Sequence, residues 1–270
     1  MSRALPVSET TVLFTRYARI AGSAKSALRS GRLGDRRRWL RIETARWRLS
    51  QDHGEMDATP NVNLWSSTQH ALDYLKRADS IPHRTEGEAV LLDCVPASAR
   101  RILDLGSGDG RLLRLLRLDR PHAQAVAVDF SPVMLEGLRQ NFAGDPSVAV
   151  VEHNLDRPLP GLGVFNAVVS SFAIHHLAHE RKRSLYAEVF GLLAPGGVFC
   201  NLEHVASPTP ALHERFLQRL GIPLLGEDPS NKLLDVETQL QWLREIGFTD
   251  VDCHWKWLEL ALLAGGKPSR

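Results

Sequence analysis

The apolar positions of this chain change period repeatedly, and each change predicts a new element. Ile102, Leu103 and Leu105 crowd together as in a buried strand, Gly106, Gly108 and Gly110 punctuate a tight turn, and Leu112, Leu113, Leu115 and Leu116 return at helical spacing. The alternation continues downstream. Residues 125–129 (AVAVD) predict a second strand and 131–142 a helix, with Ser131 as its cap and Pro132 at the favoured first helical position. Strands are expected at 148–152, 165–171 and 197–203, helices at 180–193 and 236–246, and a closing strand pair at 251–255 and 257–263. Strands alternating with helices form a parallel sheet covered on both faces, so the fold class is α/β.

Two segments stand outside this alternation. In 61–89, Ser66 or Ser67 caps a helix carrying Ala71, Leu72, Tyr74 and Leu75, Pro82 ends it, and a second helix over 85–93 follows. Residues 205–234 form an insertion in which Leu212, Phe216, Leu217 and Leu220 share one side of a helix at 211–220, before the polar loop GEDPSNK. Both segments are expected to close over the C-terminal edge of the sheet and to select a ligand. The predicted organisation is a basic N-terminal extension at 1–55, flexible or helical, a helical cap at 56–96, and a ligand-binding domain at 97–270 with the cap insertion at about 205–234.

Composition changes this picture little and charge changes it more. With 270 residues, 43% hydrophobic and 24% charged, the chain can bury one large globular core. Cys94, Cys200 and Cys253 form no CxxC pair, which fits a reducing, cytoplasmic setting, and no apolar run reaches the length of a membrane span. The net charge of +2 hides an asymmetry: residues 1–50 carry twelve Lys or Arg against three acids, and the remainder 21 against 28. An acidic body argues against DNA as a partner. The basic leader reads in several ways: a binder of an acidic partner, an Arg- and Ser-rich transit peptide, a solvated leader helical around Trp39, Leu40, Ile42, Trp47 and Leu49, or a stretch upstream of a natural start at Met56.

The glycine loop carries the chemistry. A loop of this kind lets a ligand approach the backbone and aims the first N–H groups of the following helix at it. Asp129 ends the second strand nineteen residues after Gly110, where a carboxylate accepts from both ribose hydroxyls of a nucleoside. Arg111 stands where a dinucleotide fold prefers a third glycine, and its bulk disfavours NAD.

LDLGSGDG, the acid of AVAVDFS, the strand FNAVVSSFAIHHL and the turn LLAPGGVF resemble the class I S-adenosylmethionine-dependent methyltransferases over about two thirds of the chain, from Arg84 to the C-terminus. Within that family the chain is most similar to the small-molecule methyltransferases, a group that includes carboxy-S-adenosylmethionine synthase-like proteins. The resemblance implies a Rossmann-like seven-stranded, mostly parallel sheet with an antiparallel last strand inserted between the fifth and sixth, and S-adenosyl-L-methionine as cofactor. By position, Asp104, Gly106, Ser107 and Gly108 would hold its methionine part, Asp129 the ribose, and Phe130 and Met134 would lie beside the adenine. Where the family usually has an acid for the adenine amino group this chain has Asn154, then Leu155, with Asp156 as a substitute; Asn166 replaces the family's acid in the fourth strand.

Methyl transfer from a sulfonium needs alignment more than covalent help, and an oxygen or nitrogen acceptor also needs a base. His175 and His176 follow the fourth strand, where strand alternation would let one ring into the site, His175 being favoured. The alternative for the histidine is to line the cofactor pocket without acting as a base. Ser170 and Phe172 line the same pocket in this reading, Arg84 either binds a ligand carboxylate or pairs with Glu86 or Glu88, and Glu203 with His204 either face the acceptor or make a rim hydrogen bond or exposed ion pair. No HxH, HExxH or DxDxDG spacing calls for a metal. The expected partner is a small-molecule acceptor, with the protein a monomer or homodimer. The competing expectations are a carboxy-S-adenosylmethionine synthase-like reaction, or a non-catalytic cofactor-binding or RNA-associated protein.

Overall fold

Leu103 and Leu105 are inaccessible to solvent and so is Ile102, whose side chain leaves the opposite face of the same strand; a strand buried on both faces must lie inside a sheet with helices on either side. The computed structural model of the chain describes residues 64–270, and the expectations for 1–55 and Met56 lie outside them. The first cap contains α1 (Thr68–Arg77) and α2 (Arg84–Cys94). Then come β1 (Arg101–Leu105), α3 (Arg111–Asp119), β2 (Gln124–Asp129), α4 (Pro132–Asn141), β3 (Val148–Glu152), β4 (Phe165–Ser171), α5 (His179–Leu192) and β5 (Leu193–His204). The second cap carries α6 (Pro210–Leu220), and α7 (Val236–Ile246), β6 (Thr249–Trp257) and β7 (Leu260–Gly266) close the chain.

The seven strands are ordered β3-β2-β1-β4-β5-β7-β6. The first five are parallel, and β7 lies antiparallel between β5 and β6, as the resemblance implies. Strand order reverses between β1 and β4, so ligands are expected beyond the strand ends at that point. On one face Ile102, Ala167 and Leu202 pack with Leu91 of α2, Leu112 and Leu116 of α3 and Phe216 of α6. On the other, Leu103, Val168 and Phe199 pack with Leu185 and Val189 of α5 and Leu243 of α7. Among the described residues no helix is long and apolar enough to cross a membrane.

Three local expectations are corrected. The last strand does not begin at Trp257, which ends β6 and pairs with Leu260; the turn between them bends through Leu258 at φ 52°, a conformation that ends a strand. The second cap helix starts at Arg84 itself, after His83 at φ 60°. Ser131 occupies the N-cap position of α4 but its hydroxyl makes no cap bond, while Oδ1 of Asp129 accepts from the Phe130 and Ser131 N–H groups just before the helix.

Candidate functional site

The loop after β1 depends on backbone angles that side chains resist. Gly106 and Gly110 sit at φ 66° and 88°, and a Cβ would come within 2.2 Å of the Ala173 side chain at the first and 2.5 Å of the Phe142 ring at the second. Ser107 ties the loop to its neighbours: its hydroxyl donates to the Asp104 carbonyl at 2.8 Å and accepts from Val128 N–H at 3.1 Å. Asp129 Oδ2 accepts from Gly108 N–H at 2.9 Å, so the acid that ends β2 also shapes the loop. Burial pushes the Asp129 carboxyl above its ordinary value, against three backbone N–H groups that pull it back.

Asp104, Gly106, Ser107, Gly108, Asp129, Phe130, Met134, Asn154 and Leu155 all line one cavity of about 170 Å³. Asp104 is its most telling member. Its side chain is buried, Oδ2 has no partner among the described residues, and burial together with the Asp129 charge pushes the carboxyl up to about 7. A buried carboxylate oxygen of this kind calls for a cation or donor. The ammonium of a methionine moiety supplies one, so the residues fit the cofactor that the loop implies. Asn154 Oδ1 accepts from the N–H of Asp156 at 2.9 Å and so holds its own turn. Ser170 is corrected: its hydroxyl donates to the Leu105 carbonyl inside the sheet at 2.8 Å, and strand alternation brings its neighbour Ser171 to the cavity.

Arg84 lines this cavity while paired with Glu88, Nε to Oε1 at 2.8 Å, and its Nη1 donates to Tyr74 Oη and the Ala78 carbonyl, each at 3.2 Å. Arg111 meets the same carboxylate, Nε at 2.9 Å from Oε1, and also pairs with Asp79. The side chain expected to obstruct a pyrophosphate thus binds the first cap to the helix after the glycine loop. Glu88, expected as one possible partner of Arg84, is buried between two guanidiniums and organises that junction; its second partner, Arg111, lies 23 positions on and was not foreseen.

A second cavity of about 470 Å³ adjoins the first, and Trp65, Tyr74, Phe172 and His176 line both. His175 and His204 line the second, with Phe216, Leu217 and Leu220 from the second cap. His175 and His176 occupy a 3-10 turn, Ile174–His176, and their ring centroids lie 3.9 Å apart. The strand-alternation expectation is therefore corrected: beyond the end of β4 both rings reach the cavity.

Each histidine is held from behind. His175 Nδ1 lies at hydrogen-bond distance from Glu203 Oε1, 2.7 Å, and Glu203 also accepts from His204 N–H at 2.9 Å. Glu203 is corrected from an acceptor contact to a support for His175, since it is 1% exposed and lines neither cavity. Burial raises the Glu203 carboxyl, while the nearby ammonium of Lys182 pulls it down. That ammonium, lowered to about 8 by its own burial, donates to the carbonyls of His175, Leu177 and Lys232 and so ties the histidine turn to the second cap. His204 Nε2 meets Glu259 Oε2 at 2.9 Å, and His213 bridges Glu259 and Glu227 at 2.9 and 3.1 Å. Ser230, Asp228, Glu259 and Lys182 were missed because a polar loop or a helical lysine carries no spacing that signals a buried partner. No group of three or more His, Cys, Asp or Glu among the described residues is placed to hold a metal ion.

The family described as a methyltransferase domain matches residues 102–197. Demethylmenaquinone methyltransferase of Clavibacter sepedonicus is 31% identical over 173 residues, covering 58% of this chain and 69% of that protein. Carboxy-S-adenosyl-L-methionine synthase of Desulforapulum autotrophicum is 27% identical over 189 residues, 63% of this chain and 75% of that one. Among solved structures, an O-methyltransferase family protein from Burkholderia thailandensis superposes with a TM-score of 0.62 at 21% identity, covering 76% of this chain and 62% of that chain. Human N-acetylserotonin methyltransferase in complex with S-adenosylmethionine gives 0.57 at 16% identity, over 76% and 58%. The chain spans 58% to 75% of the length of these four proteins.

Proposed function

The chain belongs to the class I S-adenosylmethionine-dependent methyltransferases, and on that premise we propose that it methylates a hydroxyl-bearing small molecule held between its two caps, with His175 as general base. The cofactor supplies an activated methyl group on a sulfonium, a leaving group good enough that alignment and exclusion of water provide much of the rate. Asp104 would hold the ammonium, the backbone of Gly106, Ser107 and Gly108 the rest of the methionine part, Asp129 the ribose, and Phe130, Met134, Asn154 and Leu155 the adenine.

His175 is suited to take the acceptor proton. With Glu203 ionised beside the Lys182 ammonium, Nδ1–H donates to it, and Nε2 is left with the lone pair on a ring that lines the second cavity. Burial holds the imidazole well below its ordinary pKa and therefore neutral, and the carboxylate behind it stabilises the imidazolium formed on proton uptake. His204 and the apolar side chains of α6 would bound the acceptor. The observation that carries the reading is the common wall of the two cavities, with a carboxylate-backed histidine beside it.

The test is transfer of label from methyl-labelled cofactor to a small-molecule extract, followed by mass spectrometry. His175→Ala is expected to lose about 10²- to 10⁴-fold in transfer rate, the usual range for a general base, with cofactor binding unchanged. Full transfer by this variant would remove His175 from the role, and a carboxylated cofactor copurifying with the protein would replace the methyl reading with the synthase-like one.

A further inference from the structure

The reading above leaves His176 without a task, although its ring is in the wall common to both cavities. Its protonation follows from its partners. Ser230 Oγ has one proton and lies 2.7 Å from Asp228 Oδ1, which also takes the Ser230 N–H at 2.9 Å, so the hydroxyl donates to the carboxylate. His176 Nδ1, 2.9 Å from the same hydroxyl, must then be the donor of that bond. Asp228 is held in turn on its other side, where His70 Nε2 lies 3.2 Å from Oδ2, off the line of a hydrogen bond. With the proton on Nδ1, His176 Nε2 is a bare lone pair, buried and without a partner among the described residues.

Adjacent residues therefore present the same unusual feature. His175 and His176 each spend Nδ1–H on an acid, directly through Glu203 or by way of Ser230 and Asp228, and each keeps an acceptor-only Nε2. Two such lone pairs on rings 3.9 Å apart cannot satisfy one another, and a ligand with one donor leaves the second unpaired. Trp65, Tyr74, Phe172 and Phe216 supply aromatic walls around the same space.

We propose that the acceptor is an aromatic ring with two neighbouring hydroxyl groups, one deprotonated by His175 and methylated, the other held as a donor by His176. This rests on the methyltransferase reading of the same site. In the step, the proton of the first hydroxyl passes to His175 Nε2, its oxygen forms the bond to the methyl carbon as the sulfur–carbon bond breaks, and the sulfonium leaves as a neutral thioether. The second hydroxyl keeps its proton throughout. The product is a monomethyl ether; presenting its remaining hydroxyl to His175, as a second transfer requires, would turn the methoxy group to His176 and offer that lone pair no proton, so His176 sets specificity for the diol and opposes a second methylation.

The probes are catechol, phenol and 2-methoxyphenol, titrated by calorimetry into protein saturated with S-adenosylhomocysteine. Catechol is expected to bind about tenfold tighter than either other ring, the scale for one hydrogen bond to a buried acceptor. His176→Leu should bring catechol down to the affinity of phenol and leave phenol unchanged. Ser230→Ala, a smaller change that frees the His176 tautomer, should reduce the preference without abolishing it. Equal binding of catechol and phenol to the wild type, no binding of catechol to the cofactor-loaded protein, or a preference that survives both substitutions would overturn the proposal. Failure of the underlying reading looks different: S-adenosylhomocysteine would not bind, or His175→Ala would still transfer methyl groups.

Discussion

The two cavities are built on different principles. One wall of the first takes its shape from backbone: a strand end, three glycines and the carboxylate of Asp129 that accepts from Gly108, all contributed by 101–129, while Trp65, Tyr74, Phe172 and His176 form the wall it shares with the second. The second is built from side chains far apart in the chain, Trp65 and His70 before the sheet, His175 and His176 after β4, Asp228 in the second cap. A cofactor site made of local backbone can be kept while the acceptor changes. On the proposed reading, an acceptor held by such relays must satisfy each of them.

The largest effect that would break this contrast is at the junction of the two regions. Glu88→Ala leaves Arg84 buried without its carboxylate and takes one of two carboxylates from Arg111, and removing one partner of a buried ion pair costs about 3 to 5 kcal/mol. Thermal unfolding measures it, and an unchanged melting temperature would show that the first cap is held some other way. Asp129→Ala comes next and should weaken S-adenosylmethionine binding by about 1 to 3 kcal/mol, the scale for lost hydrogen bonds to a charged group. Calorimetry on the folded variant with undiminished affinity would refute the ribose assignment.

A smaller effect sharpens the comparison through pH. Asp104 has its carboxyl raised to about 7 in the free protein, and a bound ammonium favours the ionised form. Binding therefore releases a proton near neutrality, and affinity falls as pH drops below about 7. The same raised value means that the free protein loses the Asp104 contribution to stability as pH rises through about 7. Calorimetry in buffers of different ionisation enthalpy should detect the released proton in the wild type and none from Asp104→Asn. A pH-independent affinity in the wild type would place the ammonium elsewhere.

The order of elements was legible because periodicity and turn chemistry are local. The run from Arg101 to Leu116 folds as its pattern predicts, and Pro132 opens α4 where expected. The pattern left open the side chains whose partners are distant. Of the two expectations for Arg84 the ion pair with Glu88 is the one present, an i, i+4 contact that spacing does predict, whereas Arg111 reaches the same acid across 23 positions and Glu203 meets His175 across 28. The rule of alternate faces failed at His175 and His176 because the strand had already ended in a 3-10 turn.

By itself, then, the sequence determined the alternation of strands and helices, the glycine loop and the acid at the end of β2, and with them the family and cofactor, since short-range backbone preferences and hydrophobic period dictate these. Only the tertiary structure decided what surrounds the two histidines. Which nitrogen of each histidine carries the proton depends on Glu203, Ser230 and Asp228, brought to them by folding across 28, 54 and 52 positions of chain, and no local pattern encodes such a meeting.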